Sequence, residues 1–325
     1  MNTPLIAVTG ATGFIGRALV NALAPTARVR VLVRRPDALT VDLANRGVGL
    51  VFGDLVEPDT AAQLVRGVDV VIHCAARLGL ADPARSAAVN VIGTERLARA
   101  ARSAHVRRFI YVSSISVLGA TRRSQDVLTE DDEPEDIERL NAYARTKYFG
   151  ERRLRDAAGG KGELSWTIIR PTNVYGVGSR PWFSNWVRAI ERLPIAVGDV
   201  AIDMVHVADV VQALCLAAAM PAGENHVLHV GHEMVKLNRF VQAIGDVVGR
   251  RVRTLPPHLD AVARWVIERG YRALTGRHMS MALTRSVRYP YARAASLLGY
   301  APRVRLIDGL RMMAQQYRLE PATTS

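Results

Sequence analysis

Residues 5–16 read Leu-Ile-Ala-Val-Thr-Gly-Ala-Thr-Gly-Phe-Ile-Gly, an apolar run closed by Gly10, Gly13 and Gly16 at a spacing of three. The run predicts a buried strand. Behind it, FIGRALVNALA puts Phe14, Ile15, Ala18, Leu19, Ala22 and Leu23 on one helical face. The glycines therefore sit where a strand turns into a helix, and a second strand, VRVLV, follows. Small residues there let backbone N–H groups close on a phosphate, and the helix N-terminus adds a favourable dipole. Such a βαβ opening predicts a dinucleotide unit whose phosphate cradle is Gly10, Thr12, Gly13, Phe14, Ile15 and Gly16.

The alternation continues. LIAVT, VRVLV, GLVFG, VDVVIHC, RRFIYVS and SWTIIR read as six strands, with long helices expected over 84–104 and 141–158. This predicts an α/β fold, a Rossmann-type doubly wound parallel sheet with helices on both faces. After Gly176 aromatic and proline residues thicken, and from Leu237 to Tyr317 the pattern is mostly helical, broken by Pro256-Pro257. MVHV and NHVLHVG are strands expected to rejoin the sheet. The expected division is a dinucleotide-binding domain of 1–176 plus 204–231, a smaller substrate domain of 177–203 plus 232–318, and a tail, 319–325. The acidic run at 129–136 is expected to form a mobile loop near the cleft mouth.

A chain of 325 residues, 49% hydrophobic, has ample core for this architecture. Its formal charge of +13 raises nucleic acid as a partner, but lysine occurs only at Lys147, Lys161 and Lys236. The remaining basic residues are arginines spread without a dense cluster, which speaks for a compositional preference and against a polyanion footprint. Cys74 and Cys215 lie in apolar runs without ligand spacing, so neither a disulfide nor a metal site is expected. The sequence shows no leader pattern and no apolar stretch of spanning length, which predicts a cytoplasmic protein. The 259–274 stretch alternates arginines with apolar residues; packing on the smaller domain is favoured over a membrane surface.

Tyr143 and Lys147 stand four apart in NAYARTK, a spacing that puts both on one helical face. An ammonium beside a phenol favours the ionised phenol, so this pair predicts a tuned proton donor or acceptor. Arg34 and Arg35 follow VRVLV directly, while Asp37 comes only after Pro36. An acidic residue at that strand end would hold a ribose 2′-hydroxyl, whereas an arginine pairs with a 2′-phosphate. NADP(H) is therefore favoured, with NAD(H) as the alternative.

A longer series surrounds these residues. Asp54-Leu55, His73-Cys74-Ala75-Ala76, Asn90 with Gly93-Thr94, Ser113-Ser114, Arg170-Pro171 and His206-Val207-x-Asp209-Val210 accompany the glycine loop and Tyr143-x-x-x-Lys147. In this order and spacing the chain resembles the extended short-chain dehydrogenases/reductases, the NAD-dependent epimerase/dehydratase superfamily, over roughly its first 230 residues. The resemblance implies that Asp54 and Leu55 flank the adenine, that Ala75 and Ala76 line the path from phosphate to nicotinamide, and that Pro171 and Asn173 lie near the nicotinamide. Counted back from Gly119, Ser114 falls on the catalytic position and Ser116 on one that touches substrate, with Ser113 structural. Ser114 is then expected to bind the substrate carbonyl while Tyr143 donates a proton to it. Lys147 is expected to lower the tyrosine pKa from about 10 and to hold the ribose hydroxyls. His73, His206 and Asp209 are expected to be structural, and the family implies a homodimer through two long helices.

Several chemistries share this scaffold. Nucleotide-sugar members commonly carry a diphosphate-clamping arginine four residues before the His-Val-x-Asp histidine, where this chain has Ile202, with Arg180 as the shifted arginine that could substitute. Dehydratases place an acidic pair beside the catalytic serine, where it reads Ile115-Ser116-Val117. The C-terminal pattern Leu274-Thr-Gly276-Arg, Leu283-Thr284, Ala294, Leu298-Gly-Tyr-x-Pro302 and Gly309-Leu310 resembles the 3β-hydroxysteroid dehydrogenase-like and dihydroflavonol reductase-like branch. Substrate contacts are expected from Ser116, Asn173, Trp182 and Phe183, with Trp186 beside them. The expectation is an NADPH-dependent ketoreductase acting on an apolar small-molecule carbonyl, steroid-like, polyketide-like or β-keto acyl. The alternatives are a nucleotide-sugar 4-epimerase or 4-keto reductase, and a non-catalytic dinucleotide-sensing scaffold.

Overall fold

A computed structural model describes residues 3–78, 82–119, 127–160, 162–255 and 286–319, with Leu259 and Arg269 besides. The basic 259–274 stretch, the Leu274–Arg277 and Leu283–Thr284 motifs, Pro256-Pro257 and nearly all of the tail lie outside the described residues, those two positions excepted.

The strands are β1 Leu5–Thr9, β2 Arg28–Val33, β3 Gly49–Phe52, β4 Val70–His73, β5 Arg108–Val112, β6 Ser165–Pro171, β7 Asn173–Tyr175, β8 Ile195–Ala196, β9 Ala201–His206, β10 His226–Val230, β11 Glu233–Lys236 and β12 Arg253–Thr254. The helices are α1 Phe14–Leu23, α2 Ala38–Asn45, α3 Thr60–Val65, α4 Pro83–Ala87, α5 Thr94–Ser103, α6 Ala142–Ala158, α7 Arg180–Arg192, α8 Val207–Ala219, α9 Leu237–Val248, α10 Ala292–Leu298 and α11 Leu306–Leu319.

Seven parallel strands form the main sheet in the order β10-β6-β5-β4-β1-β2-β3. Strand order reverses between β1 and β4, so the crevice for a ligand opens outside their carboxyl ends. Alternation along the strands feeds two cores. Ile6 and Val8 of β1 pack with α1, α8 and α10, whereas Leu5 and Ala7 pack on the other face with α3, α5 and α6. Each large apolar side chain buried this way contributes roughly 1.5–3 kcal/mol.

A three-stranded sheet, β11-β9-β7, and a two-stranded one, β12-β8, lie outside the main sheet. With α7, α9 and α11 they enclose a third apolar cluster around Phe183, Phe240 and Leu310. NHVLHVG does rejoin the main sheet, as β10 beside β6. MVHV does not: as part of β9 it pairs with β7 and β11. Its Ile202 and Met204 belong to the smaller cluster, so their burial holds β9 there.

The helix expected over 84–104 is divided. A π-helical turn, Ala88–Gly93, separates α4 from α5. Asn90 sits in that turn, accepting from Arg77 N at 2.8 Å and donating to Arg77 O and to Thr146 Oγ1, each at 2.9 Å. These bonds tie the loop after β4 to α6, a use of asparagine that helical periodicity does not reveal.

The acidic run is anchored, contrary to its reading as a mobile loop. Glu130 is buried and accepts from His229 N at 3.0 Å, and Asp131 pairs with Arg293 of α10. Thr129 donates its N–H to Asp132 at 2.7 Å. Partners distant in sequence, unseen in the local acidic pattern, supply this order.

Candidate active site

Gly10 has φ +71°, and a Cβ there would stand 2.6 Å from Ala75 N. A Cβ on Gly16 would overlap the Gly10 carbonyl. The loop thus closes onto the start of α1 and the end of β4 only because both residues are glycine. Gly178 approaches Phe14, and Thr12, Gly13, Phe14, Val177, Gly178 and Val207 line a cavity of about 280 Å³ beside the loop. Ile15 faces the core of that side of the sheet.

A second cavity, about 560 Å³, opens at the ends of β2 and β3 and is lined by Thr12, Arg34, Arg35, Asp37, Gly53, Asp54, Glu57 and Arg85. Arg34 and Arg35 are exposed, and neither forms an ion pair or hydrogen bond among the described residues. Asp37 is occupied as the N-cap of α2, accepting from Thr40 N at 2.8 Å. Leu55 is buried, with its Cβ against Gly93. A glycine cradle without room for side chains, leading to a cavity at the ends of β2 and β3, fits a dinucleotide.

Ser114, Tyr143 and Lys147 come from two neighbouring elements. Ser114 follows β5, and its Oγ accepts from Ser116 N at 3.2 Å, opening a 3₁₀ turn over Ile115–Leu118. Ser116 Oγ is buried with no hydrogen-bond partner among the described residues. Tyr143 is half-buried and Lys147 fully buried on α6, whose first turn is capped by Asn141 accepting from Ala144 N. Gly150 lets the helix approach both β5 and the π-helical turn, since a Cβ there would collide with the Tyr111 hydroxyl and stand 2.6 Å from Asn90 O.

The electrostatics differ from the sequence expectation. Burial pushes the Tyr143 phenol up to about 12 and the Lys147 ammonium down to about 7. The expected lowering of the tyrosine by the lysine is overturned. Desolvation dominates, and Lys147 Nζ is directed at Val112 O, 2.6 Å away, and at the Tyr111 ring.

Beneath this pair lies a buried ionic cluster. Ser113 Oγ donates to Glu151 Oε1 at 2.5 Å, and Arg170 donates to both Glu151 oxygens, Nε at 3.0 Å and Nη2 at 2.7 Å. Ser113 is thus engaged away from the cleft. Glu151 and the pairing of Arg170 escaped the sequence reading; Glu151 lies one turn beyond Lys147, which is the signal that would have found it. His73 bonds Thr9 Oγ1 at 2.6 Å and Thr94 Oγ1 at 2.9 Å, and burial lowers it to about 3, a neutral structural imidazole. His206 caps α8, and Asp209 accepts from Arg303 N and Val304 N.

Ala75 and Ala76 lie at the end of β4, while Pro171 ends β6 and Asn173 begins β7. The Asn173 amide donates to Asp203 O at 2.8 Å. Trp182 and Phe183, expected at the substrate pocket, pack in the smaller cluster. Trp182 lies 5.6 Å from the Phe240 ring, and Phe183, 2% exposed, lies 5.9 Å from Tyr317. Their spacing along α7 follows the helical face turned to α9 and α11.

A glycine cradle at the sheet's switch point and a serine, tyrosine and lysine at its carboxyl edge define an NAD(P)-dependent enzyme built as an extended short-chain dehydrogenase/reductase. The chain belongs to the NAD dependent epimerase/dehydratase family, whose sequence profile matches residues 6–231. It is 32% identical over 282 residues to a 3 beta-hydroxysteroid dehydrogenase/Delta 5-->4-isomerase of Mycobacterium tuberculosis, covering 81% of this chain and 74% of that protein. It is 30% identical over 324 residues to a 4-hydroxy-2-methyl-3-oxo-4-farnesyl-3,4-dihydroquinoline-1-oxide ketoreductase of Stigmatella aurantiaca, covering 95% of each. Among solved structures, MoeE5 in complex with UDP-glucuronic acid and NAD superposes with a TM-score of 0.76 at 28% identity, over 97% of this chain and 99% of that one.

Proposed function

We propose that the protein is an NADPH-dependent ketoreductase acting on an apolar ketone with a steroid-like, polyketide-like or β-keto acyl skeleton. The observation that carries the apolar substrate is Ile202. It lies within the apolar cluster, 7% exposed, at the position where nucleotide-sugar members carry a diphosphate-binding arginine. The similarity to a ketoreductase and a hydroxysteroid dehydrogenase supports the same reading. Arg34 and Arg35 at the adenosine end support the phosphorylated cofactor.

The bound nicotinamide supplies the hydride. Ser114 Oγ binds the carbonyl oxygen, and Tyr143 gives that oxygen its proton. Burial, by holding the phenol near 12, keeps Tyr143 in the protonated form that can donate. Lys147 would supply a cation to the ribose hydroxyls of a bound cofactor, and it ties α6 to the end of β5 by donating to Val112 O.

Purified protein, mixed with NADPH and a panel of β-keto thioesters and 3-keto steroids, should oxidise the cofactor, read at its nicotinamide absorbance. No oxidation with any ketone, together with NAD-dependent interconversion of UDP-sugars, would sink the proposal. That outcome defines the second reading, a nucleotide-sugar 4-epimerase or 4-keto reductase, which the likeness to MoeE5 favours. The proposal extends to a homodimer through α5 and α6, where Phe149 and neighbouring Ile92 are exposed apolar residues; a monomeric sedimentation coefficient would remove that part alone.

A further inference from the structure

The 560 Å³ cavity has three arginines in its wall, and among the described residues only Arg85 is engaged. Arg85 comes from α4, and its Nη2 donates to Asp54 Oδ2 at 2.8 Å. Its own N–H is held by Asp82 Oδ1 at 2.9 Å, which orients the first turn of that short helix.

The acidic residues of the wall are also engaged. Asp37 caps α2, and Glu57 accepts from Asp54 N and Thr60 Oγ1, each at 3.2 Å. Asp54 accepts from Val56 N at 3.3 Å through its other oxygen. Asp54 is thus the acidic group whose charge is countered by a guanidinium inside the cavity, and its side chain is 16% exposed. A carboxylate so little hydrated repels a nearby dianion more than a surface one does, unless a cation sits against it.

We propose that Arg85 sets the discrimination between 2′-phosphorylated and 2′-hydroxyl dinucleotides by neutralising Asp54 at the adenosine cavity. The inference rests on reading that cavity as the NADP(H) adenosine site. Arg34 and Arg35 supply the attraction for the 2′-phosphate, and Arg85 removes the opposing charge. It is a positioning residue that acts through Asp54.

The test uses the full chain, with binding measured by calorimetry for 2′,5′-ADP against 5′-AMP and for NADPH against NADH. Arg85→Gln should weaken 2′,5′-ADP and NADPH about tenfold while changing 5′-AMP and NADH less than about twofold. Arg85→Lys, which keeps the charge, should retain most of the wild-type ratio. Adding Asp54→Asn to Arg85→Gln should restore the ratio to within about threefold of wild type, because the uncompensated charge is gone.

An unchanged ratio in Arg85→Gln, including an equal loss for both ligand types, overturns the proposal. A selective loss that Asp54→Asn does not restore overturns the route through Asp54. The wild-type ratio by itself tests the NADP(H) reading; the change in that ratio on substitution tests Arg85.

Discussion

Lys147 holds its ammonium 3.9 Å from the centroid of the Tyr111 ring while donating to Val112 O at 2.6 Å. Both side chains are fully buried, so a ring face and one carbonyl stand in for the water a cation normally keeps. Glu151, one turn on, pulls the lysine upward, but it is already shared between Ser113 and Arg170, and desolvation prevails.

Burying that cation makes stability depend on pH. The amine has its ordinary value of 10.5 in the unfolded chain and about 7 in the folded one, so between these values the unfolded chain binds the extra proton. Unfolding free energy therefore rises as pH climbs from about 7 towards 10.5, and the cost is fully present below 7. Lys147→Met should stabilise the protein by about 1–4 kcal/mol at pH 6 and by less at pH 10, by calorimetry. An equal change at both pH values would contradict it.

The same proton should shape turnover. With Lys147 near 7 and Tyr143 near 12, kcat/KM for the ketone should decline above about pH 7 as the ammonium is lost. No tyrosine limb should appear below pH 10. A flat profile from pH 6 to 9 would show that the bound cofactor resets the lysine.

Tyr143→Phe removes the proton donor and leaves the ring that fills the half-buried site. Reduction should fall about 10²–10⁴-fold, while NADPH affinity, read by fluorescence, changes little. Comparable turnover in the variant would move the donor elsewhere.

Arg34 is exposed and without a partner among the described residues, so its substitution should not disturb folding. Arg34→Ala should weaken NADPH about tenfold or more relative to NADH, given a charge-assisted contact to the 2′-phosphate. An unchanged ratio would assign the preference to Arg35 or leave none.

Arg170 and Glu151 are each 2% exposed or less and joined by two hydrogen bonds. Arg170→Met should cost about 3–5 kcal/mol by leaving Glu151 buried without its cation. The double variant Arg170→Met with Glu151→Leu should recover part of that loss in urea unfolding, because no lone charge remains.

The main sheet was legible because its signals are local and periodic: apolar runs with period two, helices with period 3.6, glycines at a strand-to-helix turn. The Tyr143 and Lys147 pair stood out by its four-residue spacing for the same reason, whereas Ser114 was singled out only by the family resemblance. The π-helical turn at Asn90 and the anchoring of Glu130 and Asp131 were not. Their partners, Thr146, His229 and Arg293, stand far away in the sequence.

By itself the sequence determined the class of protein, since a phosphate cradle between β1 and α1 and a tyrosine four residues from a lysine are written in adjacent residues. Only the tertiary structure decided how those groups are tuned. Burial reversed the expected tyrosine shift, seated Trp182 and Phe183 in the smaller core and put Arg85 against Asp54. The physical reason is that desolvation and long-range pairing depend on what the whole fold brings together.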